Sequence, residues 1–183
     1  MKTRDMTLIA MFAALTAAGA FIRIPTPIVP FTLQFLFCAY AGILLGKKKG
    51  AYSQILYVVT GLIGIPVFTS GGGPAYIFQP TFGFLLGFIV CAYVIGKHSE
   101  KFETLTLKNT LPIILYGLFY VYLFGVTYLY LNVNFYLGKE MSFLHALEVG
   151  FIPYIPFDIM ISFFVAITSK KIVPILKSSG INV

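Results

Sequence analysis

Residues 31–67 read FTLQFLFCAYAGILLGKKKGAYSQILYVVTGLIGIPV, and the three lysines in the middle decide how this chain is built. An apolar run at 31–45 leads into Lys47, Lys48 and Lys49, and a second apolar run follows at 50–67. Lysines are costly at bilayer depth and favoured at its cytoplasmic surface, so the two runs read as membrane spans that meet at one face. Working outward, four more apolar runs occupy residues 6–24, 81–95, 111–131 and 152–172. A helix needs about 20 residues at 1.5 Å rise to cross a hydrocarbon core of roughly 30 Å. The runs 31–45 and 81–95 are short by that measure, so their ends must be extended, tilted or shielded by neighbours.

The basic residues set the orientation. With the N-terminus in the cytoplasm, Lys2, Arg4, Lys47, Lys48, Lys49, Lys97, Lys101, Lys108, Lys170, Lys171 and Lys177 fall inside, and only Arg23 and Lys139 fall outside. Eleven against two is a strong positive-inside bias for an even number of spans. A composition 58% apolar and 10% charged, with mean hydropathy +0.91, excludes an ordinary soluble domain. The net charge of +7 belongs to short loops at one face. It therefore reads as orientation and contact with anionic membrane lipid, not as nucleic-acid binding. These features predict an all-α integral membrane protein: one domain over residues 1–183, six transmembrane helices, both termini in the cytoplasm, ligand loops on the outer face. The expected location is the cell membrane, as a multi-pass protein.

Cys38 and Cys91 both lie inside apolar runs and read as small buried hydrophobes, with no disulfide implied. His98 and His145 are isolated, so no metal site is expected. The segment Gly42-Ile43-Leu44-Leu45-Gly46-Lys47-Lys48 has three residues between its glycines where a phosphate loop needs four, and no Ser or Thr after the lysine. Nucleotide hydrolysis and a bound cofactor are accordingly not expected of this chain.

Several features stand out beyond the spans. Ala10, Ala14 and Ala18 repeat at one helical turn and leave a smooth face, suited either to packing within the bundle or to docking another membrane protein. Three prolines in Ile24-Pro25-Thr26-Pro27-Ile28-Val29-Pro30 predict a stiff extended outer loop, with Arg23 before it and Thr32 and Gln34 at the mouth of the next helix. Thr69-Ser70-Gly71-Gly72-Gly73-Pro74-Ala75-Tyr76-Ile77-Phe78-Gln79-Pro80-Thr81 is longer than a turn requires, and its glycines let the backbone approach a ligand. Asp158, in Pro153-Tyr154-Ile155-Pro156-Phe157-Asp158, is either a helix-starting carboxylate or a functional acid near membrane depth. Residues 139–149 predict a short amphipathic surface helix with Phe143, Leu144 and Leu147 on its apolar side. Gly83 and Gly87 mark a close-packed helix face. The stripe Tyr116, Tyr120, Phe124 and Tyr128 reads as packing and interface anchors.

Taken together, Ile24-Pro-Thr-Pro-Ile-Val-Pro-Phe-Thr-Leu-Gln34, Ile65-Pro-Val-Phe68, Gln79-Pro-Thr-Phe-Gly-Phe-Leu-Leu-Gly-Phe88 and Pro153-Tyr-Ile-Pro-Phe-Asp158 resemble the biotin-specific substrate-capture (S) components of energy-coupling factor (ECF) transporters. The resemblance runs from about residue 10 to residue 168. It implies a six-helix bundle that takes biotin from outside. It also implies two kinds of partner, a transmembrane scaffold subunit and a pair of cytoplasmic ATPases, with Ala10, Ala14 and Ala18 as the scaffold-facing surface. Biotin carries a ureido ring with two N–H donors, an apolar thioether ring and a carboxylate tail. Asp158 would accept from the ureido N–H groups. Gln79 and the backbone amides of Gly71, Gly72 and Gly73, next to Ser70, would address the ureido carbonyl. Tyr76, Phe82 and Tyr154 would line the ring pocket beside Thr32 and Gln34. Where the family usually has Lys three positions after the Asp, this chain has Ile161, which leaves Arg23 as the cation for the ligand carboxylate. Where the family usually has Thr-Gly-Gly-Tyr, this chain has Thr81-Phe82-Gly83-Phe84. The competing readings are the same scaffold specific for another carboxylated sulfur cofactor such as lipoate, and a ligand-free assembly or structural membrane protein.

Overall fold

The computed structural model describes residues 2–26 and 28–178; Met1, Pro27 of the proline loop, the side chain of Lys177 and residues 179–183 lie outside the described set. In chain order the elements are α1 (Thr3–Phe21), β1 (Arg23–Ile24), β2 (Phe31–Thr32), α2 (Gln34–Leu62), a 3-10 turn (Pro74–Phe78), α3 (Phe82–Ser99), α4 (Leu107–Leu131) running into a π-helical turn (Asn132–Tyr136), α5 (Phe143–Gly150) and α6 (Ile155–Ser178).

The lysine triplet sits at a fold-back. Helical hydrogen bonding runs on across residues 34–62, but Gly46 has φ 74° and ψ −180°, which breaks α2 into arms at 34–45 and 47–62. Gln34 Nε2 donates to Tyr57 Oη at 2.8 Å, although 23 residues of straight helix would separate them by about 34 Å. A Cβ added at Gly50 would lie 2.8 Å from the carbonyl oxygen of Ala41, so the arms touch beside the turn as well as at their outer ends. Only glycine adopts the Gly46 conformation without strain. Glu100 holds the turn from α3: one carboxylate oxygen accepts the Lys47 backbone N–H at 2.8 Å, and the other pairs with Lys47 Nζ at 2.9 Å. A carboxylate at the N-terminus of the second arm also complements that helix's dipole.

Helices α1, α3, α4 with its π turn, and α6 are long and apolar enough to cross a membrane. The two arms of α2 complete six membrane segments. Their boundaries differ from the sequence expectation where backbone chemistry intervenes. The first arm has only about 18 Å of helix, and its outer end is extended by the ribbon in which Arg23 pairs with Thr32 and Ile24 with Phe31. Residues 25, 26 and 28–30 therefore lie between the two paired strands of a hairpin. The run predicted at 50–67 stops as helix at Leu62, where Gly64 turns with φ 109°. The last helix starts at Ile155 instead of 152 and continues to Ser178. The surface helix is shorter than residues 139–149, because Ser142 caps it by accepting the His145 N–H at 3.1 Å. Its buried positions are Ala146 and Gly150, while Leu144 is 66% exposed and Phe143, half-exposed, stands edge-on to Tyr130 of α4 with ring centroids 5.7 Å apart. Small residues let α5 lie close on α4, where Gly150 faces Leu129 and Val126, and Leu147 packs against the core beside them.

Charge is sorted along the bundle as the lysine count requires. Lys49 reaches Asp5 on α1 at 2.7 Å, and Lys47 reaches Glu100 at the end of α3, so the α2 turn, the start of α1 and the end of α3 share one face. Around the middle, Phe119, Leu123, Phe163 and Ile167 are each at least 43% exposed. A belt of this size faces lipid in a membrane protein and would aggregate in water. Cys38 and Cys91 are free and buried, with Cys38 Sγ 3.2 Å from the carbonyl of Phe88.

Gly83 and Gly87 put α3 against α4. A Cβ at Gly87 would stand 2.8 Å from Cα of Val121, a backbone atom that cannot swing aside. Gly87→Leu is therefore expected to destabilise the bundle by about 1–3 kcal/mol or more, as overpacking does. The check is a lower melting temperature in detergent without ligand; an unchanged value would mean that α3 and α4 separate freely here.

Candidate functional site

The outer half of the bundle holds a partly open cavity with about 70 Å³ of water-accessible space. Each wall comes from a different element. The ribbon and its loop contribute Val29, Pro30, Phe31 and Thr32; the first arm of α2 contributes Gln34 and Phe35; the glycine-rich segment contributes Thr69, Tyr76 and Thr81. Phe84, Leu85 and Phe88 come from α3, Val121 and Tyr122 from α4, and Tyr154 and Asp158 from the start of α6.

The polar groups are fixed before any ligand arrives. Thr32 Oγ1 donates to Gln34 Oε1 at 3.0 Å, Gln34 donates on to Tyr57, and Tyr57 donates to the carbonyl of Val67 at 3.1 Å. Across the cavity, Tyr76 Oη lies 2.9 Å from Thr69 Oγ1 and 3.3 Å from Thr81 Oγ1. Tyr154 donates its hydroxyl to the Val29 carbonyl, with Thr26 Oγ1 at 3.1 Å, and so pins the hairpin loop to α6. Phe31 stands edge-on to Phe157, ring centroids 4.1 Å apart, behind that contact.

Asp158 is the one carboxylate among the described residues that line the cavity, and no lysine, arginine or histidine is among them. It is 8% exposed and accepts a hydrogen bond from the Tyr122 hydroxyl. One carboxylate oxygen, Oδ2, is thus engaged by Tyr122. Fat walls, a ring of hydroxyls and one carboxylate suit a compact ligand with an apolar body and N–H donors.

Of the residues picked out from the sequence, the fold brings Thr32, Gln34, Tyr76, Tyr154 and Asp158 together around this cavity. Arg23 stands at its rim, with its guanidinium donating to the carbonyl of Thr69 and its backbone paired with Thr32. Ser70, Gly72 and Gln79 are exposed and outside the lining. The amides of Gly71 and Gly73 are occupied: Gly71 donates to Phe68 at 3.2 Å and Gly73 to Gly61 at 2.7 Å. Their positive φ values, 108° and 111°, serve the tight turn that seats Phe68 on Gly61. Phe82 is buried against Tyr128, with centroids 5.9 Å apart, and not in the cavity.

Sequence reasoning did not single out Tyr122. A signal was present, because Tyr122 falls off the outward stripe of Tyr116, Tyr120, Phe124 and Tyr128 and shares a helix face with buried Leu118, Gly125 and Val126. Phe84, Phe88 and Thr69 were equally invisible as lining. The alanine face has a clear position: Ala10, Ala14 and Ala18 are exposed along an outer groove whose other side is Leu56, Tyr57 and Thr60 from the second arm of α2, with Val67 from the segment that follows it. Internal packing is done instead by Ile9, Phe12, Ala13 and Thr16.

Known proteins agree with this geometry. The family model described as the BioY family matches residues 1–178. A probable biotin transporter BioY from Lysinibacillus sphaericus is 44% identical over 178 residues, covering 97% of this chain and 91% of that protein. The biotin transporter BioY of Thermotoga maritima is 37% identical over 173 residues, covering 92% and 97%. A crystal structure of the S-component for biotin from an ECF-type ABC transporter superposes with a TM-score of 0.82 at 25% identity over 95% of both chains. With the membrane segments, the outer cavity and these matches in agreement, the chain is a multi-pass membrane protein that belongs to the BioY family.

Proposed function

We propose that this protein is the biotin-capturing membrane subunit of an ECF-type uptake transporter in the cell membrane. The observation that carries the proposal is the outer cavity, apolar in its walls and holding a single carboxylate, in a chain whose relatives are named biotin transporters. The ureido ring lies toward Asp158, the thioether ring against Phe84, Leu85 and Phe88, and the valerate tail toward the mouth, where Arg23 is the nearest arginine or lysine among the residues assigned to the site. A carboxylate left at the mouth stays partly hydrated, and burying it fully would cost several kcal/mol without a partner. Thr32, Gln34, Tyr76 and Tyr154 frame the ring. Import is driven by a transmembrane scaffold seated on the alanine groove and by a pair of cytoplasmic ATPases. This division of labour fits a chain whose own glycine–lysine segment lacks the spacing and hydroxyl of a phosphate loop.

The test is calorimetric titration of biotin into the purified subunit in mild detergent, with lipoate as the parallel ligand. Saturable biotin binding is expected. At a hundredfold excess over Kd it should stabilise the protein by about 2.7 kcal/mol, seen as a higher melting temperature. Folded protein that takes up lipoate and ignores biotin would move the ligand assignment. Protein indifferent to both would favour a ligand-free assembly role.

A further inference from the structure

We infer that Tyr122 is a positioning residue, fixing the carboxylate of Asp158 so that a single oxygen faces the ligand. The inference rests on biotin, or a ligand with the same N–H donors, occupying the cavity. Tyr122 is itself 8% exposed, and its ring is held from two sides: edge-on to Phe151 with centroids 4.7 Å apart and to Phe84 at 6.5 Å. A buried phenol needs a partner for its hydrogen, and the partner it has is Asp158 Oδ2. The backbone around Asp158 is fixed too, since its N–H donates to Tyr154 at 3.0 Å and its carbonyl accepts from Ser162 at 2.7 Å.

The consequence concerns recognition. A carboxylate with both oxygens free can accept two parallel N–H bonds and can rotate to find them. With one oxygen held by a ring wedged between two aromatics, Asp158 presents one acceptor in one direction. Tyr122 also does what a neighbouring cation would otherwise do. At the next turn of α6 stands Ile161, 5% exposed and apolar, so the phenol is the donor that steadies the carboxylate. The ligand then meets an acceptor already aimed, and less ordering is left for binding to supply.

The experiment is a double-mutant cycle read by biotin calorimetry on wild type, Tyr122→Phe, Asp158→Ala and the pair. Tyr122→Phe keeps the ring and deletes the hydroxyl; about a tenfold weaker Kd is expected, the size of one hydrogen bond to a charged group. In the Asp158→Ala background the same change is expected to alter Kd by less than about twofold, because no carboxylate remains to be aimed. Phe151→Leu, which loosens the ring but keeps the hydroxyl, serves as the second variant and should weaken binding by a smaller factor in the wild-type background alone. Equal losses from Tyr122→Phe in both backgrounds, or wild-type affinity in Tyr122→Phe, would overturn the positioning role while leaving biotin capture intact. A folded wild type that binds no biotin would overturn both.

Discussion

Asp158→Asn weakens biotin binding by about 10- to 150-fold, the expected result of losing roughly 1.5–3 kcal/mol from a hydrogen bond to a charged acceptor. The substitution is nearly isosteric, so the walls formed by Phe84, Phe88 and Tyr154 stay in place. What changes is the face shown to the ureido ring. With Tyr122 held to one oxygen, the position facing the ligand becomes an amide N–H₂ wherever the Asn keeps its own oxygen on Tyr122, and donor then meets donor. Stability should move the other way or not at all. A carboxylate at 8% exposure with no basic residue in the lining carries a desolvation cost that Asn avoids. The paired measurement is therefore Kd by calorimetry and ligand-free melting temperature on the same sample. Lipoate, which lacks the ureido N–H groups, should lose little. Biotin affinity within about twofold of wild type would remove Asp158 from the site.

Ala14→Leu produces the opposite pattern, in which capture survives and transport fails. Ala14 is exposed between Ala10 and Ala18 on the outer groove, and its side chain contributes nothing to the interior that Ile9, Phe12, Ala13 and Thr16 build. A partner helix that approaches a face of small residues gains by backbone proximity, since lipid offers no hydrophobic drive for association. Three extra carbons in the middle of that face cost about 1–3 kcal/mol of overpacking, or about 5- to 150-fold in assembly. Biotin Kd should stay within about twofold, because the cavity is built from the other side of α2 and from α3, α4 and α6. Uptake by cells carrying the complete transporter, measured beside co-purification of the subunits, reads the effect. Full uptake with Ala14→Leu would mean that the scaffold docks elsewhere.

Membrane class and the number of apolar helical segments were readable from the sequence, and thirteen basic residues sorted eleven to two set the expected orientation. Those properties follow from bilayer physics, which acts on runs of residues and needs no knowledge of what touches what. The three lysines at 47–49 announced a turn, and Gly46 makes it. Gly83 and Gly87 announced a tight helix contact, and Val121 lies against Gly87. Asp158 was visible because an acid near membrane depth is costly enough to stand out.

The rest depended on which face each residue turns, and that is a property of the packed bundle. The glycine run at 71–73 suggested free backbone donors, yet two of its amides are used to fold the segment onto Gly61, because a turn must satisfy its own hydrogen bonds first. Phe82 and Phe84 are two residues apart on one helix; one packs on Tyr128 and the other faces the cavity. The alanine repeat was equally suited to inside or outside by spacing, and only the fold of α2 against the other side of α1 turns Ala10, Ala14 and Ala18 outward. Tyr122 meets Asp158 across 36 residues of chain, a contact that no local pattern encodes. The apolar runs, by themselves, determined that this chain is an all-α protein of six helical segments that crosses a membrane several times. Tertiary structure alone decided which side chains converge on one cavity, because convergence arises from helix rotation and fold-back, and those are settled only when all the packed faces are satisfied at once.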